Sequence, residues 1–283
     1  MNKGKNLIIV KHIILLLGIA FTFFPIVWVL SASFNPANTL VGQSLIPPEI
    51  TFNHYRQLVT STQHPFILWM WNSLKISLIT SVLAVSLTTL AAYPFSRFKF
   101  SFRKKGLFVI LLVQVFPQML AMVAIYLLFL NIQRYFPGIG LNTHPALIIT
   151  YLGGAVGINT WLMKGYMDTI PRSLEEAAYI DGASKFQAFS VIIVPLIRPM
   201  LVVIFILQFI GSYSEYILAR ILLGSNSEYT LAVGLHLFIT DQYGARWGVF
   251  SAAAIIGALP ILLIFILLQD KIVSGLTGGA VKG

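Results

Sequence analysis

The stretch from Glu176 to Pro195, EAAYIDGASKFQAFSVIIVP, concentrates charge in a chain that otherwise has little. Glu175, Glu176 and Asp181 lie beside the small residues Ala177 and Ala178. Carboxylates next to small side chains suit ion pairing and close approach to a groove in another protein. The segment could instead lie on the bilayer as an amphipathic element, but acidic residues do not favour an anionic leaflet. A protein-docking role is therefore the preferred interpretation.

Local signals predict two short helices in this segment, joined by a turn. Ser173 and Glu176 have the spacing of a capping box, and the following alanines favour helix. Asp181-Gly182 predicts a turn. A helical pattern resumes from Lys185 to Val194, with Phe186, Phe189 and Ile193 expected on one face. Pro195 and Pro199 then mark the entry to the next apolar run.

Other kinds of chemistry find little support in the sequence. The chain has no G-x-x-x-x-G-K-[ST] phosphate loop and no cysteine, so nucleotide binding of that type and thiolate chemistry are excluded. The five histidines are scattered, and none has a potential metal ligand three or four residues away. Glu215, an acidic residue inside an apolar run, is expected to pair with Arg220 rather than to carry a transported proton. If the chain takes part in a process driven by ATP, the ATP must therefore be bound by another chain.

The composition predicts a lipid-embedded, all-α integral membrane protein. Hydrophobic residues make up 57% of the chain, charged residues 10%, and the mean hydropathy is +0.84. About 20 apolar residues cross a bilayer as a helix. Six transmembrane helices are therefore predicted in one transmembrane domain, 1–283, at approximately 12–34, 71–96, 106–130, 144–165, 199–219 and 248–269. The segment 166–198 lies between the fourth and fifth, and Trp69 and Trp71 are expected at the headgroup level.

The distribution of Lys and Arg predicts the orientation. Most of the 19 basic residues fall on the side of the membrane that holds both termini, so both termini are predicted to be cytoplasmic. The net charge of +10 would also suit nucleic acid. The basic residues flank the spans rather than form one patch, so topology is the preferred explanation, and no nucleic-acid partner is expected.

The motif Glu176-Ala177-Ala178, with Gly182, Ile192 and Val194-Pro195 at fixed spacing, resembles the cytoplasmic signature of permease subunits of bacterial ABC importers. Val194 departs from the usual leucine. Further stretches resemble the smaller permease subunits of maltose/maltodextrin importers. These are WNSLK (71–75), FPQMLAMVAIYLLF (116–129), GLNTH (140–144), TYLGG (150–154), KGYMDTI (164–170), EYTLAVG (228–234) and GLTGGAVKG (275–283).

The resemblance implies a type I ABC importer permease fold and import of maltose or maltodextrins by alternating access across the bacterial inner membrane. It implies four kinds of partner: a second, larger permease subunit, a homodimeric cytoplasmic ATPase, a periplasmic maltose-binding protein and membrane lipid. ATP hydrolysis would belong to the ATPase, so this chain is not expected to be an enzyme or to hold a cofactor or metal. The alternatives are an importer of the same type for another oligosaccharide and, more distantly, an autonomous proton-driven carrier.

The resemblance also assigns roles to three sets of residues. The ATPase-coupling residues would be Glu176, Ala177, Ala178, Asp181, Gly182, Ala183 and Pro195. A scoop loop entering the binding protein would contain Thr240, Asp241, Gln242, Tyr243 and Gly244. A tail contacting the ATPase would contain Gly278, Gly279, Val281, Lys282 and Gly283. Asn159, Gln208, Ser212 and Tyr213 have side chains suited to a carbohydrate path, but the resemblance places the principal membrane sugar site in the partner permease.

Overall fold

The computed structural model describes the chain from Asn2 to Thr240 and from Gly244 to Ala280, and all regular structure in these ranges is helical. This confirms the all-α prediction. The α-helices are α1 (Asn2–Phe34), α2 (Asn53–Thr60), α3 (Phe66–Arg97), α4 (Arg103–Val115), α5 (Gln118–Ile132), α6 (His144–Asp168), α7 (Ser173–Ile180), α8 (Lys185–Gln187), α9 (Val194–Leu196), α10 (Arg198–Ser214), α11 (Ile217–Leu222), α12 (Leu231–Thr240) and α13 (Trp247–Ala280). A 3₁₀ turn lies at Pro137–Ile139 and a π-helical turn at Ala188–Ile193.

Four helical segments are long and apolar enough to cross a bilayer: Leu7–Phe34, Phe66–Arg97, His144–Asp168 and Trp247–Asp270. Two further pairs of helices meet the same criterion only together. Arg103–Val115 and Leu120–Ile132 are bent by 99°, and Lys185–Leu196 and Arg198–Ser214 by 71°. By length and composition, the described residues therefore contain four candidate spans, or up to six if each bent pair is one span.

A proline explains the sharper bend. Phe116, which ends α4, has an extended backbone with ψ 127° and immediately precedes Pro117. A residue before proline is disfavoured in the helical region because the proline ring clashes with its backbone. An apolar run that composition alone reads as one continuous span, 106–130, is consequently two helices.

Contacts divide the chain into two compact units, of which the first comprises Met1–Leu68 and Gly234–Leu259. In this unit the apolar side chains of α1 are exposed from Leu7 to Ile26, as expected of a surface that faces lipid. Asn38 has a positive φ of 51° and its side-chain oxygen accepts hydrogen bonds from the amides of Gly248 (2.8 Å) and Val249 (3.3 Å). Asn38 thus satisfies free amides in the first turn of α13.

The second unit comprises Trp69–Val233 and Pro260–Gly283. Trp69 is fully buried and donates from its indole nitrogen to the carbonyl of Asn226 at 2.9 Å. Trp69 therefore packs inside the protein, whereas Trp71 is 62% exposed, and the expected position of both at the headgroup level stays a prediction. Asn72 donates to the carbonyls of Ser227 (2.8 Å) and Tyr229 (3.1 Å). The first turns of α3 thus hold the segment that precedes α12.

Candidate functional site

The turn predicted at Asp181-Gly182 is present and ends α7. Gly182 has φ +87°, a conformation that side-chain-bearing residues rarely adopt. The amide of Ala183 donates to the carbonyl of Ala178 at 2.8 Å, and that of Gly182 to the carbonyl of Tyr179 at 3.1 Å. This pair of bonds is a Schellman motif, which satisfies carbonyls left free at a helix end. Gly182 therefore makes the turn between the two short helices.

The capping box predicted at Ser173 and Glu176 is wrong, and a different capping box lies on the other helix of the segment. Arg172 is the N-cap of α7 and makes no side-chain capping bond, so Ser173 lies one position too far into the helix to cap it. Ser184 instead caps α8: its hydroxyl accepts from the amide of Gln187 at 3.2 Å, and its amide donates to the Gln187 side chain at 2.7 Å. The capping box therefore orients the chain after the turn, not before it.

The helix expected from Lys185 to Val194 is interrupted by the π-helical turn Ala188–Ile193. Such a turn has more residues than an α-helical one, so it rotates the side chains that follow it. Ile193 is fully buried and Phe189 partly buried, but Phe186 is 72% exposed. The prediction of one common face for these three residues is wrong for this reason.

The segment presents an exposed apolar surface with acidic residues at its edge. Ile180 is 87% and Phe186 72% exposed. Glu176 and Asp181 are also exposed. Of the other residues predicted for coupling, Ala177 and Gly182 are exposed, while Ala178, Ala183 and Pro195 are partly buried. We call α7, α8 and the turn between them, residues 173–187, the coupling segment.

Glu175, unlike the exposed Glu176 and Asp181, is buried. Only 4% of it is exposed, and its carboxylate forms an ion pair with Arg97 at the end of α3. The hydroxyl of Tyr93 donates to the Oε1 atom of Glu175 at 2.8 Å. Sequence reasoning treated Glu175 as an acidic edge of the docking surface. The available signal was Arg97, a basic residue that ends an otherwise uncharged run beginning after Lys75.

Further hydrogen bonds hold the end of α3 against neighbouring elements. Arg103 donates to the carbonyl of Phe95 at 2.6 Å, and Arg172 to that of Ser96 at 2.9 Å. The hydroxyl of Ser96 donates to Asp168, the last residue of α6, at 2.6 Å. Cationic side chains are favourable at a helix C-terminus, where carbonyls lack helical partners.

An apolar cluster underlies these polar contacts. It is formed by the last turns of α3 and α6, the π-helical turn and the start of α10, through Ala92, Tyr93, Met163, Met167, Ile170, Ile193, Ile197 and Ile204. Burying an apolar side chain contributes about 1.5–3 kcal/mol. The coupling segment is therefore supported by this packed apolar cluster rather than by a flexible loop.

Glu215 is a helix cap rather than a partner of Arg220. It ends α10 with an extended backbone, and its carboxylate accepts hydrogen bonds from two first-turn amides of α11 at 2.8 and 3.0 Å. Tyr151 also donates to it at 2.7 Å. Arg220 instead donates to the hydroxyl of Tyr229 at 2.9 Å. The expected pair of Glu215 with Arg220 is therefore wrong: the carboxylate satisfies free amides of α11 instead.

The structure brings together three of the four residues suited to a polar path. Asn159, Gln208 and Ser212 line a cavity of about 430 Å³ between α6 and α10. Tyr213 is buried and does not contribute to this lining. In the described part of the chain no group of three potential metal ligands occurs.

The remaining predicted site residues lie at the edges of the described structure. Thr240 ends α12, and Gly244, with φ +99°, follows the predicted scoop residues Asp241, Gln242 and Tyr243, which are outside the described residues. Gly278 and Gly279 belong to the last turn of α13. The predicted tail residues Val281, Lys282 and Gly283 are also outside the described residues.

Arg246, which follows the predicted scoop loop, contacts His64 and Phe238. The guanidinium of Arg246 donates to the Nε2 atom of His64 at 2.9 Å and lies 5.2 Å from the centre of the Phe238 ring. The amide of Arg246 also donates to the carbonyl of Phe238 at 2.8 Å. Arg246 therefore ties the entry to α13 back to α12.

Comparisons with known proteins agree with this architecture. Residues 84–277, which include the coupling segment, match the family described as "Binding-protein-dependent transport system inner membrane component". The chain is 43% identical to the maltose/maltodextrin transport system permease protein MalG of Yersinia pestis, covering 96% of this chain and 92% of that protein. It is 41% identical to MalG of Escherichia coli K12, covering 100% and 98%.

Solved structures share the fold. A chain of a bacterial ABC transporter that imports the acidic polysaccharide alginate superposes with a TM-score of 0.77 at 22% identity, covering 95% of this chain and 98% of that one. A chain of the MetNI methionine ABC transporter superposes with a TM-score of 0.54 at 14% identity, covering 80% of this chain and 99% of that one. The chain therefore belongs to the family of binding-protein-dependent transport system inner membrane components.

Proposed function

We propose that this chain is the smaller permease subunit of an ATP-driven importer of maltose and maltodextrins in the bacterial inner membrane. The observation that carries the proposal is the coupling segment, an exposed acidic and apolar surface mounted on a buried base. A surface of this kind suits docking to another protein. The nearly full-length identity of 41–43% to MalG proteins supports maltose and maltodextrins as substrates.

The proposed membrane arrangement has six spans, with each bent helix pair forming one span and both termini in the cytoplasm. The spans are those at 12–34, 71–96, 106–130, 144–165, 199–219 and 248–269, in one permease domain. A second, larger permease subunit completes the pore. The pore alternates between inward and outward access.

ATP hydrolysis belongs to a homodimeric cytoplasmic ATPase that docks on the coupling segment. Glu176 anchors this contact because its carboxylate is free to meet a basic group, and the small side chains of Ala177 and Ala178 permit close approach. Gly182 sets the angle between α7 and α8, with Asp181 and Ala183 beside it. Pro195 marks the return to the membrane. Closure of the ATPase dimer displaces the segment, and the packed cluster beneath transmits this movement to α3, α6 and α10.

Two further contacts complete the proposed assembly. The scoop loop, Thr240 to Gly244, reaches into the cleft of a periplasmic maltose-binding protein, and Arg246 fixes its base through His64 and Phe238. The glycine-rich tail, which begins at Gly278 and ends at Gly283, contacts the ATPase.

The test is uptake of radiolabelled maltose into vesicles that contain this chain, the second permease, the ATPase and the binding protein, with ATP inside. Wild type is compared with Glu176→Lys and with Asp270→Lys. Asp270 is also exposed, so its reversal makes the same charge change outside the coupling segment. Disrupting a charged interface contact costs about 2 kcal/mol or more, which is a roughly thirtyfold or greater loss of uptake in Glu176→Lys.

Uptake by wild type and by Asp270→Lys, but not by Glu176→Lys, supports both the substrate and the coupling role. Equal uptake by all three rejects the role of Glu176. If wild type imports no maltose, the same vesicles are tested with other oligosaccharides. Uptake of one of them would move the substrate assignment and keep the importer.

A further inference from the structure

Glu175 and Glu176 are neighbours in the chain, yet they have opposite environments. Successive residues on an α-helix are rotated by about 100°. The orientation of α7 that buries Glu175 therefore also sets the direction in which Glu176 points. Glu175 is 4% exposed, and Glu176 is exposed. The partners of Glu175 therefore determine which face of α7 the coupling segment presents.

The described partners of the Glu175 carboxylate come from the end of α3. Arg97 forms the ion pair, with side chains only 6% and 5% exposed, and Tyr93 donates the hydrogen bond at 2.8 Å. The same guanidinium donates to the carbonyl of Ile170, in the link between α6 and α7, at 3.2 Å. Arg97 therefore joins three elements: α3, the link and α7.

A gain in folding stability is by itself a weak explanation for a buried ion pair such as Arg97–Glu175. Replacing a buried ion pair with apolar residues is often neutral or stabilising, because the desolvation of both charges offsets their attraction. Charge pairing in a low-dielectric site does, however, distinguish strongly between one geometry and its alternatives. The pair suits a device that holds α7 in a single orientation.

The end of α3 is in turn fixed from other directions. Arg103 and Arg172 hold its last carbonyls, and Ser96 holds Asp168 of α6. A displacement of α7 is therefore passed to α3 and α6 through short polar contacts rather than through a flexible loop.

We propose that Glu175, Arg97 and Tyr93 form a positioning latch that fixes α7 to α3 and carries the movement of the coupling segment into the membrane helices. The latch rests on the proposed function. Glu176 contacts the ATPase, and Glu175 acts only inside this chain. Its loss leaves the ATPase bound but separates ATP hydrolysis from transport.

A double-mutant cycle tests the latch in the complete reconstituted complex. The variants are Arg97→Gln, Glu175→Gln and the double variant, with Asp270→Asn as a matched control for loss of an exposed carboxylate. The measured quantity is maltose imported per ATP hydrolysed, for equal amounts of assembled complex. Each single variant leaves one buried charge without its partner, and we expect about a fivefold or greater fall in this ratio, in the range found for residues in contact.

The double variant separates a latch from two independent effects. Two glutamine amides can hydrogen-bond to each other without leaving a charge, so the double variant is expected to lose no more than either single variant. Arg97→Lys, which keeps the charge, should retain more of the ratio than Arg97→Gln. A double loss equal to the product of the single losses would overturn the latch. So would single variants that assemble less complex but keep the wild-type ratio.

A second measurement does not depend on the substrate. Hydrogen–deuterium exchange in the assembled complex should be faster in α7 of Glu175→Gln than in wild type, and unchanged in α11. Unchanged exchange in α7 would contradict the latch. A wild-type complex that imports no maltose, with faster exchange in α7 of the variant, would reject the proposed substrate and leave the latch in place.

Discussion

Gly182 offers a quantitative test of the coupling turn, because its backbone strain can be changed without changing its contacts. Its φ is +87°, and a Cβ atom at this position would meet nothing within 4 Å. Within this chain, the cost of a Cβ atom at this position therefore comes from the backbone. Asn tolerates positive φ best among the other residues, Ala less, and a β-branched residue such as Val least.

The expected magnitudes follow from this order. An L-residue in the left-handed region costs about 1–2 kcal/mol. Gly182→Ala should therefore raise the population of opened turns roughly tenfold, since about 1.4 kcal/mol is a factor of ten. Gly182→Asn should have a smaller effect and Gly182→Val a larger one. In Gly182→Val the complex should still insert and hydrolyse ATP, but import less maltose per ATP.

Gly42 provides the matched control. It has φ +73° and also has nothing within 4 Å of a Cβ atom, but it belongs to the segment between α1 and α2. Gly42→Ala carries the same intrinsic cost and should leave the transport ratio unchanged. The assay is radiolabelled uptake and phosphate release measured on the same vesicles. A wild-type ratio in Gly182→Val, or an equal fall in both glycine variants, would refute the reasoning.

Three further changes test contacts outside the latch. Asn72→Leu removes hydrogen bonds to the carbonyls of Ser227 and Tyr229, of which only Tyr229 is a buried residue, and should lower the unfolding temperature of the complex, at a cost of about 1–3 kcal/mol for the buried group left unsatisfied; an unchanged temperature would contradict this anchor. Ser184→Ala removes the cap of α8 and should cost about 1 kcal/mol, seen as faster amide exchange at Gln187. Glu215→Leu should destabilise the complex more than Glu215→Gln, which keeps an acceptor for Tyr151; equal melting temperatures would reject the capping role.

Sequence signals were most successful where the determinant was local. The Asp181-Gly182 turn followed from the conformational freedom of glycine and needs only neighbouring residues to form. The helical, apolar character of the long segments followed from composition, because unsatisfied backbone groups are costly in lipid. Four described helices are long and apolar enough to cross a bilayer, and the six predicted spans stay a prediction.

Local signals failed where two similar local solutions competed. Ser173 and Ser184 both have the sequence of an N-cap, but only the second is at the helix boundary. The π-helical turn gives no clear sequence signal, and it changed which side chains are buried. Phe116-Pro117 broke one apolar run into two helices, although its hydropathy is continuous.

The sequence by itself thus determined the solvent, the helical class and the turn of the coupling segment, since these depend on composition or on residues a few positions apart. Tertiary structure alone decided that Glu175 turns inward to Arg97 while Glu176 remains exposed. It also decided that Tyr151 of α6 donates to Glu215, 64 residues further along the chain. The physical reason is that the partner of a charged group is selected by which helix ends packing brings together, and no local pattern specifies that distance.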